Sequence, residues 1–260
     1  MTIIPLTAPI APSAPHGATL DLLVLPCAGA SATMYLRWRR MLPPWVRVVP
    51  IELPGRGARC NEPCVRNFDA LVTRLCDENA ASLRGNFVLL GHSMGALLAY
   101  GMALRQRALS RPMPQLLVVS ASAAPTCRSP ERYAGRHDDA TLIADLRKQG
   151  GTPDEVFAHS DMLRMTLDTL AADYDVCASF PPRETQALAL PIHAFGGRHD
   201  SIALHDIEQW YHETRGRFSV DWFDGGHFFI REREAEVLAA LVQVLSPLAK
   251  GVGDAAIAFA

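Results

Sequence analysis

Short apolar runs bounded by glycine or proline alternate along this chain with longer stretches whose apolar residues recur at three-to-four spacing. The short runs fall at 20–25, 46–51, 87–90, 116–119, 190–195 and 218–223, and most carry few charges, as strands covered on both faces should. Helical patterns fit 33–42, 67–83, 94–108, 204–215 and 231–246. The resulting β-α-β-α order predicts an α/β fold built on a mostly parallel, doubly wound sheet. One interval breaks the rhythm, because residues 122–189 are longer than a crossover between two strands requires. Within it, Leu163, Leu167 and Leu170 form one helical stripe with Met162 and Met165 beside it. The stripe predicts a helix packed on the body. An insertion at the strand ends of such a sheet is also where a lid sits.

The length of 260 residues suits a single α/β domain, expected over 19–250 with the insertion at about 122–189. Pro5, Pro9, Pro12 and Pro15 interrupt the first eighteen residues, predicting a disordered or extended lead-in, and the small residues of 251–260 predict a flexible tail. Hydrophobic content of 49%, charged content of 20% and a net charge of −2 exclude a largely disordered chain, a collagen-like chain and a nucleic-acid binder working by bulk positive charge. No window reaches the roughly eighteen uncharged apolar residues needed to cross a bilayer, so membrane insertion is not expected. Six cysteines without a cleavable-looking leader favour reduced thiols in the cytoplasm.

The chemistry concentrates at the ends of the predicted strands. Phe87-Val88-Leu89-Leu90 runs into Gly91-His92-Ser93-Met94-Gly95, and a helical pattern follows at once, so Gly-x-Ser-x-Gly lies where a strand turns into a helix. That context presents a serine hydroxyl at the carboxyl edge of a sheet, over a helix N-terminus. A serine needs a base, and the base needs an orienting acid, in the order Ser, acid, His for this architecture. Strand 190–195 leads to Asp200 and strand 218–223 to His227, and residues at the ends of neighbouring parallel strands converge. His199 is the rival base, but it comes from the acid's own loop; the rival acids are Asp224, Asp173 and Asp175. His92 is expected to pack or hydrogen-bond. Two oxyanion donors are required as well. Met94 supplies one backbone N–H, and the small-residue loop Pro26-Cys27-Ala28-Gly29-Ala30-Ser31-Ala32 the other, from Ala28 or, failing that, Cys27.

Other patterns lead elsewhere or nowhere. Cys60-x-x-x-Cys64 has no second ligand pair at zinc spacing, so no metal is expected. There is no Gly-x-Gly-x-x-Gly after a strand and no P-loop, hence no nucleotide cofactor. The cluster Arg37, Trp38, Arg39, Arg40 reads as a solvated helix face.

Taken together, residues 20–245 resemble the type II thioesterases, free-standing α/β-hydrolases that accompany nonribosomal peptide and polyketide synthases. The resemblance rests on Leu25-Pro26-Cys27-Ala28-Gly29, on Glu52 to Arg59 with Glu62-Pro63, and on Gly91-His92-Ser93-Met94-Gly95. It continues through Gly150-Gly151-Thr152-Pro153, Ala172-Asp173-Tyr174, Gly196-Gly197 with Asp200, and Gly225-Gly226-His227-Phe228-Phe229. It implies a catalytic triad of Ser93, Asp200 and His227, oxyanion donors at Ala28 and Met94, and a helical lid over an acyl and phosphopantetheine channel. The implied activity is removal of acyl or aminoacyl groups from the phosphopantetheine arm of carrier domains, an editing role exercised by a monomer on transient partners. The chain departs from the family's pattern at Cys27, where an aromatic or histidine is usual, and at Ala30, where glycine is usual; both bear on the oxyanion loop and on acyl preference. The same triad also suits a small-molecule carboxylesterase or acyltransferase, and a hydrolase-like binding protein without turnover is the reading from another class.

Overall fold

The computed structural model describes residues 19–181 and 187–257, so the expected lead-in, 1–18, lies outside the described residues. Six strands form one sheet in the order β2-β1-β3-β4-β5-β6: β1 Leu20–Leu25, β2 Val46–Pro50, β3 Phe87–His92, β4 Leu116–Ser120, β5 Ile192–Gly197 and β6 Phe218–Phe223. Every neighbouring pair is parallel, from Leu22 opposite Val48 and Val88 to Ala194 opposite Val220. β1, β3, β4 and β5 are buried at every position, which is why their sequences are mostly apolar; the two edge strands are not. The chain steps from β1 outward to β2, then returns past β1 to β3. The carboxyl ends of β1 and β3 therefore flank the point where strand order reverses, the usual ligand crevice of an open α/β sheet.

The helices are α1 Trp38–Met41, α2 Phe68–Glu78, α3 Met94–Ala108, α4 Asp139–Gln149, α5 Asp154–Ala158, α6 Ser160–Ala178, α7 Leu204–Glu208, α8 Phe229–Glu232 and α9 Glu234–Ile257. Alternate strand residues point to opposite faces. Leu23, Leu25, Leu89, Leu117 and Val119 pack with α2 and α3, whereas Leu22, Val24, Val88, Leu90 and Val118 pack with Trp38 of α1 and Val237, Leu238 and Leu241 of α9. Helix α3 is buried nearly all round. Gly101 at its middle lets α2 approach, since a Cβ there would lie 2.7 Å from the Phe68 ring.

Several helical patterns resolve into shorter pieces than their periodicity predicts. The 33–42 pattern divides into a 3-10 turn, Ala32–Tyr35, and α1, an arrangement that buries Tyr35 and Trp38 edge to face at 4.8 Å. The 67–83 pattern stops at Glu78, where the Asn79 side chain donates to the Leu75 carbonyl and caps the last turn; Ser82–Arg84 is a separate 3-10 turn. The 204–215 pattern becomes α7 followed by a 3-10 turn, Gln209–Glu213. The 231–246 pattern begins earlier, at α8, and α9 then runs on to Ile257, past Lys250 and into the segment expected to be a flexible tail. The end of that tail, 258–260, lies outside the described residues.

The long interval between β4 and β5 holds α4, α5 and α6. These carry a small core of their own: Leu142, Leu146, Leu167, Leu170, Ala171 and Tyr174. The stripe on α6 splits as an amphipathic helix should: Leu167 and Leu170 are buried, while Met162 and Met165 face outward.

Candidate active site

Ser93 stands between the end of β3 and the first turn of α3, with φ 55° and ψ −117°. A non-glycine residue in that region is strained, by about 1–3 kcal/mol, and persists because its surroundings over-determine it. The flanking glycines owe their identity to close approach. A Cβ on Gly91 would lie 2.0 Å from the Gly95 carbonyl oxygen, and one on Gly95 would lie 2.3 Å from that of Leu25. The Ser93 N–H donates to the Ser120 carbonyl at the end of β4 (2.7 Å), fixing the turn against the neighbouring strand.

Loops after β5 and β6 bring the other two groups to this point. The Ser93 hydroxyl lies 3.0 Å from Nε2 of His227, whose Nδ1–H donates to Oδ2 of Asp200 at 2.8 Å. The Asp200 side chain is fully buried, and its Oδ1 accepts from the Ile202 N–H at 3.3 Å. Burial pushes this carboxyl up, but the hydrogen bond and charge of His227, aided by the Ile202 amide, outweigh it and hold Asp200 below its ordinary range. With Asp200 ionised and Nδ1 occupied as a donor, Nε2 is left to accept the serine proton.

The loop after β1 faces the same point. Ala28 and Met94 both line the cavity of about 540 Å³ into which Ser93 and His227 open, and neither backbone N–H has a hydrogen-bond partner among the described residues. Met94 opens α3, so its amide also carries the positive end of the helix dipole. Leu97 of α3 together with Tyr133, Tyr174 and Cys177 of the insertion supply apolar lining, and Arg128, Arg132 and Lys148, two of them stacked on Tyr133, line the same cavity. Arg128 lies over the rings of Phe180 and Tyr133 and donates to the Cys177 carbonyl.

The rival residues are engaged elsewhere. His199 and Asp224 pair with each other at 2.9 Å on the surface, and Asp224 also accepts from Arg233. Asp175 pairs with Arg66 and His137, and Asp173 is held by Arg56. His92 is fully buried, with its Nδ1 2.9 Å from the Ser120 hydroxyl and its ring packed between His227 and Phe229. Burial, with the nearby His227, pushes it down to about 3, so it stays neutral. Cys27 is buried, and burial, with the Asp173 charge, pushes its thiol up to about 12, which leaves no thiolate to act as a nucleophile. Cys60 and Cys64 are free thiols, and no group of three His, Cys, Asp or Glu among the described residues is placed to hold a metal ion.

Sequence reasoning missed one contact at the site. Arg56 and Asp173 form a bidentate ion pair (2.5 and 2.7 Å) that is almost wholly buried, and Asp173 Oδ2 also accepts from the Gly29 N–H of the oxyanion loop at 2.7 Å. The signal that could have found it is an arginine between two glycines in Pro54-Gly55-Arg56-Gly57, both of which prove to have positive φ.

A parallel sheet whose strand ends present a Ser–His–Asp chain beside a helix N-terminus defines a serine hydrolase of the α/β-hydrolase fold. The family model described as "Thioesterase domain" matches residues 21–245. The chain is 32% identical over 229 residues to the gramicidin S biosynthesis protein GrsT of Aneurinibacillus migulanus, covering 88% of this chain and 90% of that protein. It is 31% identical over 228 residues to thioesterase PikA5 of Streptomyces venezuelae, covering 86% and 80%. Among solved structures, RedJ, the thioesterase of the prodiginine pathway in Streptomyces coelicolor, superposes with a TM-score of 0.79 at 32% identity, covering 92% of this chain and 96% of that one. The chain belongs to the thioesterase domain family, and the solved structures similar to it include type II thioesterases of the borrelidin and yersiniabactin pathways. No described helix is long and apolar enough to cross a membrane.

Proposed function

We propose that this protein hydrolyses thioesters joining acyl or aminoacyl groups to the phosphopantetheine arm of carrier domains, clearing stalled or misloaded synthases. The observation that carries the reading is the unbroken hydrogen-bond chain from Ser93 through His227 to buried Asp200, opening into the cavity that the insertion walls. Ser93 Oγ attacks the thioester carbonyl as His227 Nε2 takes its proton. The negative charge that develops on the carbonyl oxygen is met by the N–H groups of Ala28 and Met94. Collapse breaks the C–S bond, the proton passes from His227 to the departing thiolate, and an acyl group remains on Ser93. Water, deprotonated by the same histidine, then releases the acid and restores the serine. Asp200 keeps His227 in the productive tautomer and stabilises its cation.

No step calls for a metal or a nucleotide. The carrier domain is the protein partner, engaged weakly so that one enzyme serves many carriers; neither nucleic acid nor membrane enters the reading. A cytoplasmic monomer fits six unpaired thiols and carrier substrates made in that compartment.

The test is intact mass spectrometry of an acetyl-loaded carrier domain incubated with wild-type protein and with Ser93→Ala. Loss of the acetyl mass with the phosphopantetheine arm retained, in the wild-type sample alone, is the expected result. If neither protein removes the acetyl group while a serine-directed probe still labels the wild type, an esterase or acyltransferase acting on other substrates replaces this reading.

A further inference from the structure

The loop that follows β1 is held by side chains from two distant parts of the chain. The Ala30 N–H donates to the Cys27 carbonyl at 3.2 Å, closing a four-residue turn with Gly29 in third place at φ 74°, the type II arrangement. Type I and type II turns differ by a flip of the central peptide, here the one joining Ala28 to Gly29. Its N–H, on Gly29, donates to Asp173 Oδ2 at 2.7 Å. A flipped peptide would instead set the Ala28 carbonyl against that carboxylate. Asp173, 1% exposed, thus holds one turn geometry directly after the residue expected to supply an oxyanion donor.

Arg56 fixes the selector. It holds both Asp173 oxygens, and its Nη1 lies 3.4 Å from the Ala30 carbonyl, so the guanidinium touches the carboxylate and the loop at once. Gly55 (φ 85°) and Gly57 (φ 51°) turn the chain on either side so that this arginine points inward. Glu52 completes the clamp by accepting from the Ser31 hydroxyl and the Ala32 N–H. Asp173 belongs to α6, in the insertion, whereas Arg56 follows β2.

We infer that Arg56 and Asp173 are positioning residues for the oxyanion hole: by holding the Gly29 N–H and the Ala30 carbonyl they fix the turn that carries the Ala28 N–H, and they tie the placement of that turn to the seating of α6. The inference rests on the serine-hydrolase reading of the site.

A buried ion pair replaced on both sides by apolar residues is often neutral for stability, whereas removal of one partner strands a charge. The decisive variant is therefore the double substitution Arg56→Met/Asp173→Leu, which abolishes the Gly29 anchor without leaving a buried charge. Folding is followed by circular dichroism, thioester hydrolysis by kcat and KM, and oxyanion-hole competence by the rate of Ser93 labelling with a fluorophosphonate, whose P=O oxygen occupies the hole. The expected result is a folded protein whose kcat and labelling rate both fall by about 10²-fold, the scale for loss of one oxyanion donor, with KM within about threefold. A folded double variant with kcat within about threefold of wild type overturns the inference. Should the double variant not fold, Asp173→Asn, which keeps an acceptor for Gly29, is compared with Asp173→Leu at equal folded fraction. At least a tenfold slower labelling of the leucine variant supports the inference, and equal rates overturn it. Failure of the thioesterase reading would show differently, as a wild-type protein inert toward carrier thioesters whatever the labelling rates of the variants.

Discussion

Replacing Asp200 by asparagine tests the link between the site's geometry and its chemistry. The carboxylate is fully buried and lies 2.8 Å from His227 Nδ1. As Ser93 attacks, His227 becomes a cation whose charge centre is about 4 Å from that of Asp200, and the attraction is about 4 kcal/mol at an effective dielectric constant near 20. Removing it costs about 10³ in rate. The asparagine amide adds a second defect, because its N–H₂ donates to Nδ1 and forces the proton onto Nε2, where it repels the serine proton; together the two effects bring the expected loss in kcat to about 10⁴-fold. Backbone geometry should survive, since the Asn Oδ1 still accepts from the Ile202 N–H. The assay is kcat for an acyl-carrier thioester, with circular dichroism and urea denaturation as controls. Acid stability provides a second readout. The folded Asp200 carboxyl lies below its ordinary value, so it contributes stability that is present above the unfolded pKa, near 3.9, and is lost as pH falls through the lower folded one. Asp200→Asn should therefore flatten the stability profile below about pH 4. A variant that keeps kcat within tenfold of wild type refutes the assignment, and a matching loss in Asp224→Asn would transfer the role to that residue.

Three further outcomes follow from local geometry. Ser93→Gly should abolish turnover yet raise the unfolding free energy read from urea denaturation by about 1 kcal/mol through relieved backbone strain, because glycine tolerates the φ of 55°; a lowered unfolding free energy would mean that Ser93 is not strained. Gly91→Ala should destabilise by more than about 2 kcal/mol, since its Cβ would lie 2.0 Å from the Gly95 carbonyl oxygen, which is backbone and cannot step aside. In iodoacetamide labelling at pH 8 followed by peptide mass analysis, exposed Cys60 should react readily, while Cys27 and Cys177, both buried and pushed up to about 12, stay unlabelled in the native protein; fast modification of Cys27 would contradict the packing around the oxyanion loop.

What the sequence discloses about this molecule depends on how local the physics is. Phe87 to Leu90 is a strand in any context that covers both faces, and Gly91, Ser93 and Gly95 encode a turn within five residues, so the elbow is legible directly. Asp200 and His227 are legible because each ends a recognisable strand, and the parallel sheet brings such ends together. Helix boundaries are less so: periodicity over 204–215 cannot tell α7 from the 3-10 turn that continues it, because Ile207, buried by α7, and Trp210, buried by the turn, stand three residues apart as they would on one helix. Arg56 and Asp173 are illegible as a pair. They are separated by 117 positions, and neither residue type announces burial; only the route of the insertion makes them neighbours. From sequence Asp173 therefore reads as a rival acid for the triad, whereas its carboxylate is committed to Arg56 and Gly29.

The three side chains of the proposed triad hang from a sheet whose central strands are buried throughout, whereas α4, which supplies part of the cavity wall, is packed on α6 by only a handful of buried side chains. Two cores of such unequal size have unequal lifetimes: opening the smaller releases α4, while α6 stays seated through Val176 and Cys177 in the larger core and through Asp173 on Arg56. The protein can therefore admit and release a long, tethered substrate by loosening one wall at modest free-energy cost, while Ser93, His227 and Asp200 keep their spacing throughout. Substitutions on α4 that reshape the wall for a different acyl chain fall on the part of the molecule whose rigidity the chemistry least requires.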